Sequence, residues 1–156
     1  MPNPTRPITI LVADDDPDDR ELTREAFAEN RLANNLRFVE DGEELLDYLN
    51  GRGKYAAGGD TAPLPGLLLL DLNMPRKDGR EALREIKADS RLRHIRVVVM
   101  TTSKAEEDIL RSYNLSAASY ITKPVTFDRL VEVVKTLGKY WLEIVELPPN
   151  GNEQPG

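Results

Sequence analysis

Gly66-Leu67-Leu68-Leu69-Leu70-Asp71 is the stretch on which the fold turns. Four successive leucines are too few for a helix standing alone, and Pro65-Gly66 closes them off on one side. A short continuous apolar run of this kind reads as a strand buried on both faces, as in a parallel sheet covered by helices. The run ends on an acid, Asp71, so the carboxyl end of this central strand is polar.

Working outward, the same pattern recurs. Residues 8–13 form another apolar run, Leu36-Arg37-Phe38-Val39 a shorter one, and Val97-Val98-Val99-Met100 is dominated by β-branched residues. Ser119-Tyr120-Ile121 reads as a fifth strand. Between them lie helical patterns. Asp16 caps a helix that opens on Pro17 and carries Leu22, Ala26 and Phe27 on its apolar face. Asp41-Gly42 leads into a helix with Leu45, Leu46 and Leu49. Residues 79–92 follow with Ala82, Leu83 and Ile86 at core spacing, and further helices cover residues 104–115 and 127–147. Residues 51–66, rich in Gly and Pro, read as a long loop. Five strands alternating with helices predict a doubly wound α/β domain with a parallel sheet.

In such sheets the functional crevice lies beyond the carboxyl ends of the strands. Strand one ends in Asp14-Asp15, strand three in Asp71, strand four in Thr101 and strand five in Lys123. Each alone has an ordinary explanation: a capping turn, a β-former, a solvated lysine. Their convergence does not. Three carboxylates at one sheet end repel one another unless a cation holds them, and an all-oxygen donor set suits Mg²⁺, which keeps several waters and shares phosphate oxygens. An ionised aspartate is a nucleophile type for phosphoryl groups, while Thr101 and Lys123 offer a hydroxyl donor and a point charge to the transferred group. Asp14-Asp15-Asp16 offers two adjacent acid pairs. With Asp16 used as the helix cap, Asp14 and Asp15 are left to face the crevice.

The runs Asp14-Asp15-Asp16-Pro17, Leu70-Asp71-Leu72-Asn73-Met74-Pro75-Arg76-Lys77-Asp78-Gly79, Met100-Thr101-Thr102-Ser103 and Tyr120-Ile121-Thr122-Lys123-Pro124 resemble those of two-component response-regulator receiver domains. The resemblance implies a flavodoxin-like (βα)5 fold with strand order 2-1-3-4-5. It also implies that Asp71 takes a phosphoryl group from a phosphohistidine of a sensor histidine kinase or a histidine phosphotransferase. By the same resemblance Asp15 and Asp71 bind Mg²⁺ directly, with the Asn73 carbonyl as a third ligand and Asp14 acting through water. Thr101 and Lys123 contact the phosphoryl oxygens, and Tyr120 is the aromatic that reports phosphorylation. The loop before the central strand and the run Tyr140-Trp141-Leu142-Glu143-Ile144-Val145-Glu146-Leu147 further resemble single-domain regulators associated with bacterial phytochromes. That implies a light-sensing histidine kinase as partner.

The expected organisation is a tail over residues 1–7, a receiver domain over 8–147 whose last helix overhangs the core from about residue 138, and a second tail over 148–156. No output domain is expected to follow. Tyr140, Trp141, Ile144, Val145 and Leu147 are apolar nearly all round their helix and are expected to form a homodimer interface with the adjacent strand-five edge, the alternative being that this end folds back onto its own domain. The chain has 156 residues and no cysteine, which excludes disulfides and thiolate chemistry. Its net charge of −6 argues against nucleic acid as a ligand. No signal peptide or membrane span is visible, and a cytoplasmic location is expected.

Other functions remain in view. A phosphatase of the haloacid dehalogenase type would place a second Asp two residues after its nucleophile, where this chain has Asn73. A flavin-binding domain would need a phosphate-cradling loop where this chain has acids. An interaction module that takes no phosphate is the third. Gly51-Arg52-Gly53-Lys54 follows a helix and lacks the Ser or Thr of a phosphate-binding loop. His94, among Arg91, Arg93 and Arg96, reads as a surface residue.

Overall fold

The computed structural model describes residues 9–30, 36–56, 64–74, 76–77, 79–101, 119–122 and 126–137. Five strands, β1 (Ile10–Ala13), β2 (Leu36–Val39), β3 (Leu67–Asp71), β4 (Arg96–Thr101) and β5 (Ser119–Thr122), form one parallel sheet in the order β2-β1-β3-β4-β5. The helices are α1 (Pro17–Glu29), α2 (Gly42–Asn50), α3 (Gly79–Ala88) and α4 (Phe127–Leu137). The expected helix over residues 104–115 and the extension beyond Leu137 lie outside the described residues.

The leucine run of β3 feeds two cores at once. Side chains alternate across a strand, so Leu68 and Leu70 enter one cluster with Leu45, Leu49, Leu83 and Ile86 of α2 and α3. Leu67 and Leu69 enter the other with Phe27 of α1 and Leu130 and Val134 of α4. All four leucines are 0% exposed. A strand so placed has no polar face, which is why the run does not alternate.

Two elements differ from the sequence reading. The third helix stops at Ala88, four residues short of Leu92. Asp89 ends it: its carboxylate accepts the Arg91 amide at 2.8 Å and its carbonyl accepts those of Leu92 and Arg93. This local bonding competes with helix continuation, and the turn still delivers Leu92 to the core. The expected long loop contains a 3₁₀ turn, Gly53–Tyr55. Tyr55 packs edge-on against Tyr48 with ring centroids 5.0 Å apart, and its hydroxyl donates to Glu44 at 2.7 Å.

Candidate functional site

The register of β1 on β3 decides what stands together. Ala13 lies opposite Leu70, so one further step brings Asp14 beside Asp71 at the carboxyl edge of the sheet. Asp14 stays in strand-like pairing, its amide donating to the Val39 carbonyl at 3.1 Å. Asp16 then leaves the sheet and caps α1, accepting the Asp18 amide at 2.8 Å and the Asp19 amide at 3.4 Å through its carboxylate. Pro17 takes the first helical position. Asp16 is thereby spent on the helix, and Asp14 and Asp15 remain at the crevice.

Asp14, Asp15 and Asp71 each place a carboxylate oxygen within 4.8 Å of the others. Asp14 is 1% and Asp71 4% exposed, while Asp15 faces solvent. Backbone amides orient the two buried groups. Asp14 Oδ1 accepts the Asp16 amide at 3.0 Å, and Asp71 Oδ1 accepts the Asn73 amide at 2.9 Å. Asp71 is further fixed from below. The Gly79 amide donates to the Leu72 carbonyl at 3.0 Å, and a Cβ on Gly79 would come within 2.5 Å of the Asp71 carbonyl oxygen. Only glycine allows α3 to start this close to the strand end.

Arg20 is a site neighbour that the sequence reading passed over. From the second turn of α1 its Nη1 donates to the Asp14 carbonyl at 2.8 Å, and its Nη2 lies 3.9 Å from Glu40 at the end of β2. It sets a guanidinium against the acidic edge. The available signal was its spacing, six residues after Asp14, which returns a helical side chain toward the strand end.

The other expected site residues divide by where they fall. Asn73 follows Leu72 with its side chain exposed. Thr101 and Tyr120 are placed by backbone in β4 and β5. Asp71 pairs with Met100, Val99 with Tyr120, and Thr101 with Thr122. Lys123, and Tyr140, Trp141, Ile144, Val145 and Leu147 of the expected dimer interface, lie outside the described residues. Among the described residues no helix is long and apolar enough to cross a membrane.

This donor set fits a hard divalent cation. It is oxygen only, comes from three carboxyl groups on partly dry ground, and has its two buried members oriented by backbone hydrogen bonds. Residues 10–135 match the family described as "Response regulator receiver domain". The chain belongs to the receiver family. It is 39% identical over 142 residues to response regulator Rcp1 of Synechocystis sp., covering 91% of this chain and 94% of that one. Among solved structures, the phosphorylated cyanobacterial phytochrome response regulator RcpA is 41% identical. It superposes with a TM-score of 0.78 over 92% of this chain and all of its own. The Mn²⁺-bound form of Rcp1 gives 38% and 0.75 over the same shares.

This receiver is thus a homologue of phytochrome response regulators and a component of two-component signalling, whose domains act as phosphoacceptors for histidine kinases. Receiver domains bind a divalent metal, and the acidic triad fits such an ion. Receivers of this kind are signalling proteins.

Proposed function

We propose that Asp71 is the phosphoacceptor of this receiver and that Mg²⁺ is its ion. The observation that carries this reading is the meeting of Asp14, Asp15 and Asp71 within 4.8 Å at the ends of two adjacent strands. Asp15, Asp71 and the Asn73 carbonyl would hold the ion, with Asp14 acting through water. When bound, Mg²⁺ neutralises the acids and draws charge from the phosphoryl oxygens. A carboxylate oxygen of Asp71 attacks phosphorus, the P–N bond of the donor phosphohistidine breaks, and the departing imidazole keeps that electron pair. Asp71 is held for this attack by the Asn73 amide from one side and by Gly79 beneath its carbonyl. Thr101 and Lys123 receive the phosphoryl oxygens, and Tyr120 reports the new charge. The chain turns over nothing beyond its own phosphorylation and dephosphorylation.

The kinase we infer is a bacterial phytochrome or a phosphotransferase relaying from it, in the cytoplasm; the homology to RcpA and Rcp1 supports this. Output runs through protein contacts of a domain spanning residues 8–147, between tails at 1–7 and 148–156. The homodimer uses Tyr140, Trp141, Ile144, Val145 and Leu147. An open cleft of 430 Å³, lined by Ile121, Val133 and Leu137 with four polar residues, stands at the end of α4, where this segment follows in the chain. Truncation after Gly138 should convert dimer to monomer in sedimentation. An unchanged dimer rejects the extension's role.

Incubation with Mg²⁺ and acetyl phosphate should add one phosphoryl group to the wild type and none to Asp71→Asn, read by intact mass. A wild type that takes neither phosphoryl nor the beryllofluoride mimic refutes the reading. An adduct persisting in Asp71→Asn moves the acceptor elsewhere.

A further inference from the structure

The segment between Asp71 and Gly79 carries Asn73, and it is gripped from an element that contributes nothing to the acidic triad. A Cβ built on Gly42, the first residue of α2, would lie 1.8 Å from the Lys77 carbonyl oxygen and 2.6 Å from its carbonyl carbon. Backbone therefore rests directly on backbone, and no side chain other than hydrogen fits between them. Beside this contact Arg76 adopts φ +67°, a left-handed conformation that non-glycine residues seldom hold unless the surroundings fix it. Its Nε lies 3.3 Å from Asp41 Oδ2, and its Nη1 lies 3.3 Å from Glu43 Oε1.

Asp41 is shared between two tasks. Its Oδ1 accepts the Glu44 amide at 2.8 Å and caps α2, while its Oδ2 faces Arg76. The same carboxylate thus starts the helix and ties down the loop. At the loop's far end Gly79 is hydrogen-bonded to Leu72 and pressed against Asp71. The segment is held at both ends, and its height over β3 is set in part by α2.

We propose that the N-terminus of α2 is a positioning latch for the phosphoacceptor site, with Gly42 as a steric seat and Arg76 as an ionic strap that together hold Asn73 and the Asp71 carboxylate in register. The inference rests on the Asp71–Mg²⁺ reading and deepens it, naming residues that act through the loop and touch neither ion nor phosphoryl group. An exposed strap contributes little to global stability; the Arg76 side chain is 64% exposed. Loss of the strap should therefore change the site without unfolding the domain. That separation is what a merely structural ion pair would not produce.

The test uses the full chain as wild type, Gly42→Ala, Arg76→Gln and Arg76→Lys. Two readings are taken: amide hydrogen exchange across residues 72–79 in EDTA, and Mg²⁺ affinity by calorimetry. Arg76→Gln should exchange faster in this segment and bind Mg²⁺ about tenfold more weakly, the loss typical when a residue supporting metal ligands is removed. Its melting temperature should be unchanged. Arg76→Lys should recover most of the affinity, and Gly42→Ala should show a larger loss than Arg76→Gln. Should Gly42→Ala fail to fold, the exposed Arg76 variants carry the test alone. Wild-type exchange and wild-type Mg²⁺ affinity in Arg76→Gln overturn the latch while leaving the acceptor reading intact. A wild type that binds no Mg²⁺ refutes the acceptor reading instead, and faster exchange in Arg76→Gln would still establish that the strap holds the loop.

Discussion

Asp71→Asn should make the metal-free protein more stable, although it removes the proposed acceptor. Two unit charges at 4.8 Å, the outer limit of the separations in this cluster, repel by about 3.5 kcal/mol at an effective dielectric of ~20. Asp71 faces two such carboxylates, so its charge meets roughly 7 kcal/mol of repulsion before solvent screening and its hydrogen-bond partners are counted. The true figure is smaller. Asp15 is exposed, where water screens it, and the Arg20 guanidinium at the Asp14 carbonyl offsets part of the field. Asparagine keeps the shape and can still accept the Asn73 amide, so little packing is lost. A net gain of about 2 kcal/mol is expected, which for a domain of this size raises the melting temperature by roughly 4–8 °C. The assay is urea and thermal unfolding of both proteins in EDTA at low salt, repeated in saturating Mg²⁺. In Mg²⁺ the difference should shrink or reverse, since only the wild type keeps the full ligand set and is stabilised by mass action. A variant that is less stable than wild type in EDTA refutes the view of these acids as a strained, cation-seeking group.

Two further outcomes follow from the local networks. Asp16→Ala should cost about 1 kcal/mol by uncapping α1, measured by urea unfolding, because its carboxylate accepts two orphan amides. Glu44 is pushed up by burial, but bonds from Tyr55, the Glu40 amide and Lys54 outweigh this and hold its carboxyl below the ordinary value of 4.5. A depressed carboxylate contributes stability that is present above that value and lost as pH falls through the folded-state one. Tyr55→Phe should therefore be less stable than wild type by about 1 kcal/mol at pH 7. The gap should close as pH drops below about 4.5, read from unfolding midpoints across pH 3–7.

What the residues alone disclosed, and what they withheld, follows from range. The leucine run and the valines of β4 announce buried parallel strands because their burial on two faces leaves no room for polar alternation. The order β2-β1-β3-β4-β5 came through the family resemblance, and pairing confirms it. Asp16 as cap is a local matter, settled by Pro17 beside it. The early end of α3 was missed because Asp89 competes for backbone amides in a way that apolar spacing does not register. Tyr55 was hidden in a Gly-rich stretch, since its partners Glu44 and Tyr48 belong to another element. Gly42 read only as part of the entry to a helix. Its contact is with Lys77, thirty-five positions away in numbering, and no local pattern marks a backbone-on-backbone approach.

The site's parts differ in what holds them, and this bears on how a signal can leave. Asp14 and Asp71 are fixed by register, and a slip of one residue would turn every side chain of β1 or β3 to the wrong core. Such anchors cannot move by degrees. Asn73 hangs on a loop held at Gly42 and Arg76 by contacts that α2 supplies. A phosphoryl group arriving at Asp71 adds charge beside rigid strands, so displacement must be taken up by whichever neighbours are least constrained. Among the described residues Asn73 and Arg76 of this loop have exposed side chains with room to shift, and Arg76 reaches the acidic first turn of α2. A charge change at a fixed point, beside exposed side chains tied to a surface helix, is the kind of local electrostatic event on which switches are built. Through Gly42, Asp41 and Glu43 the α2 end of this receiver is in direct contact with the loop that follows Asp71.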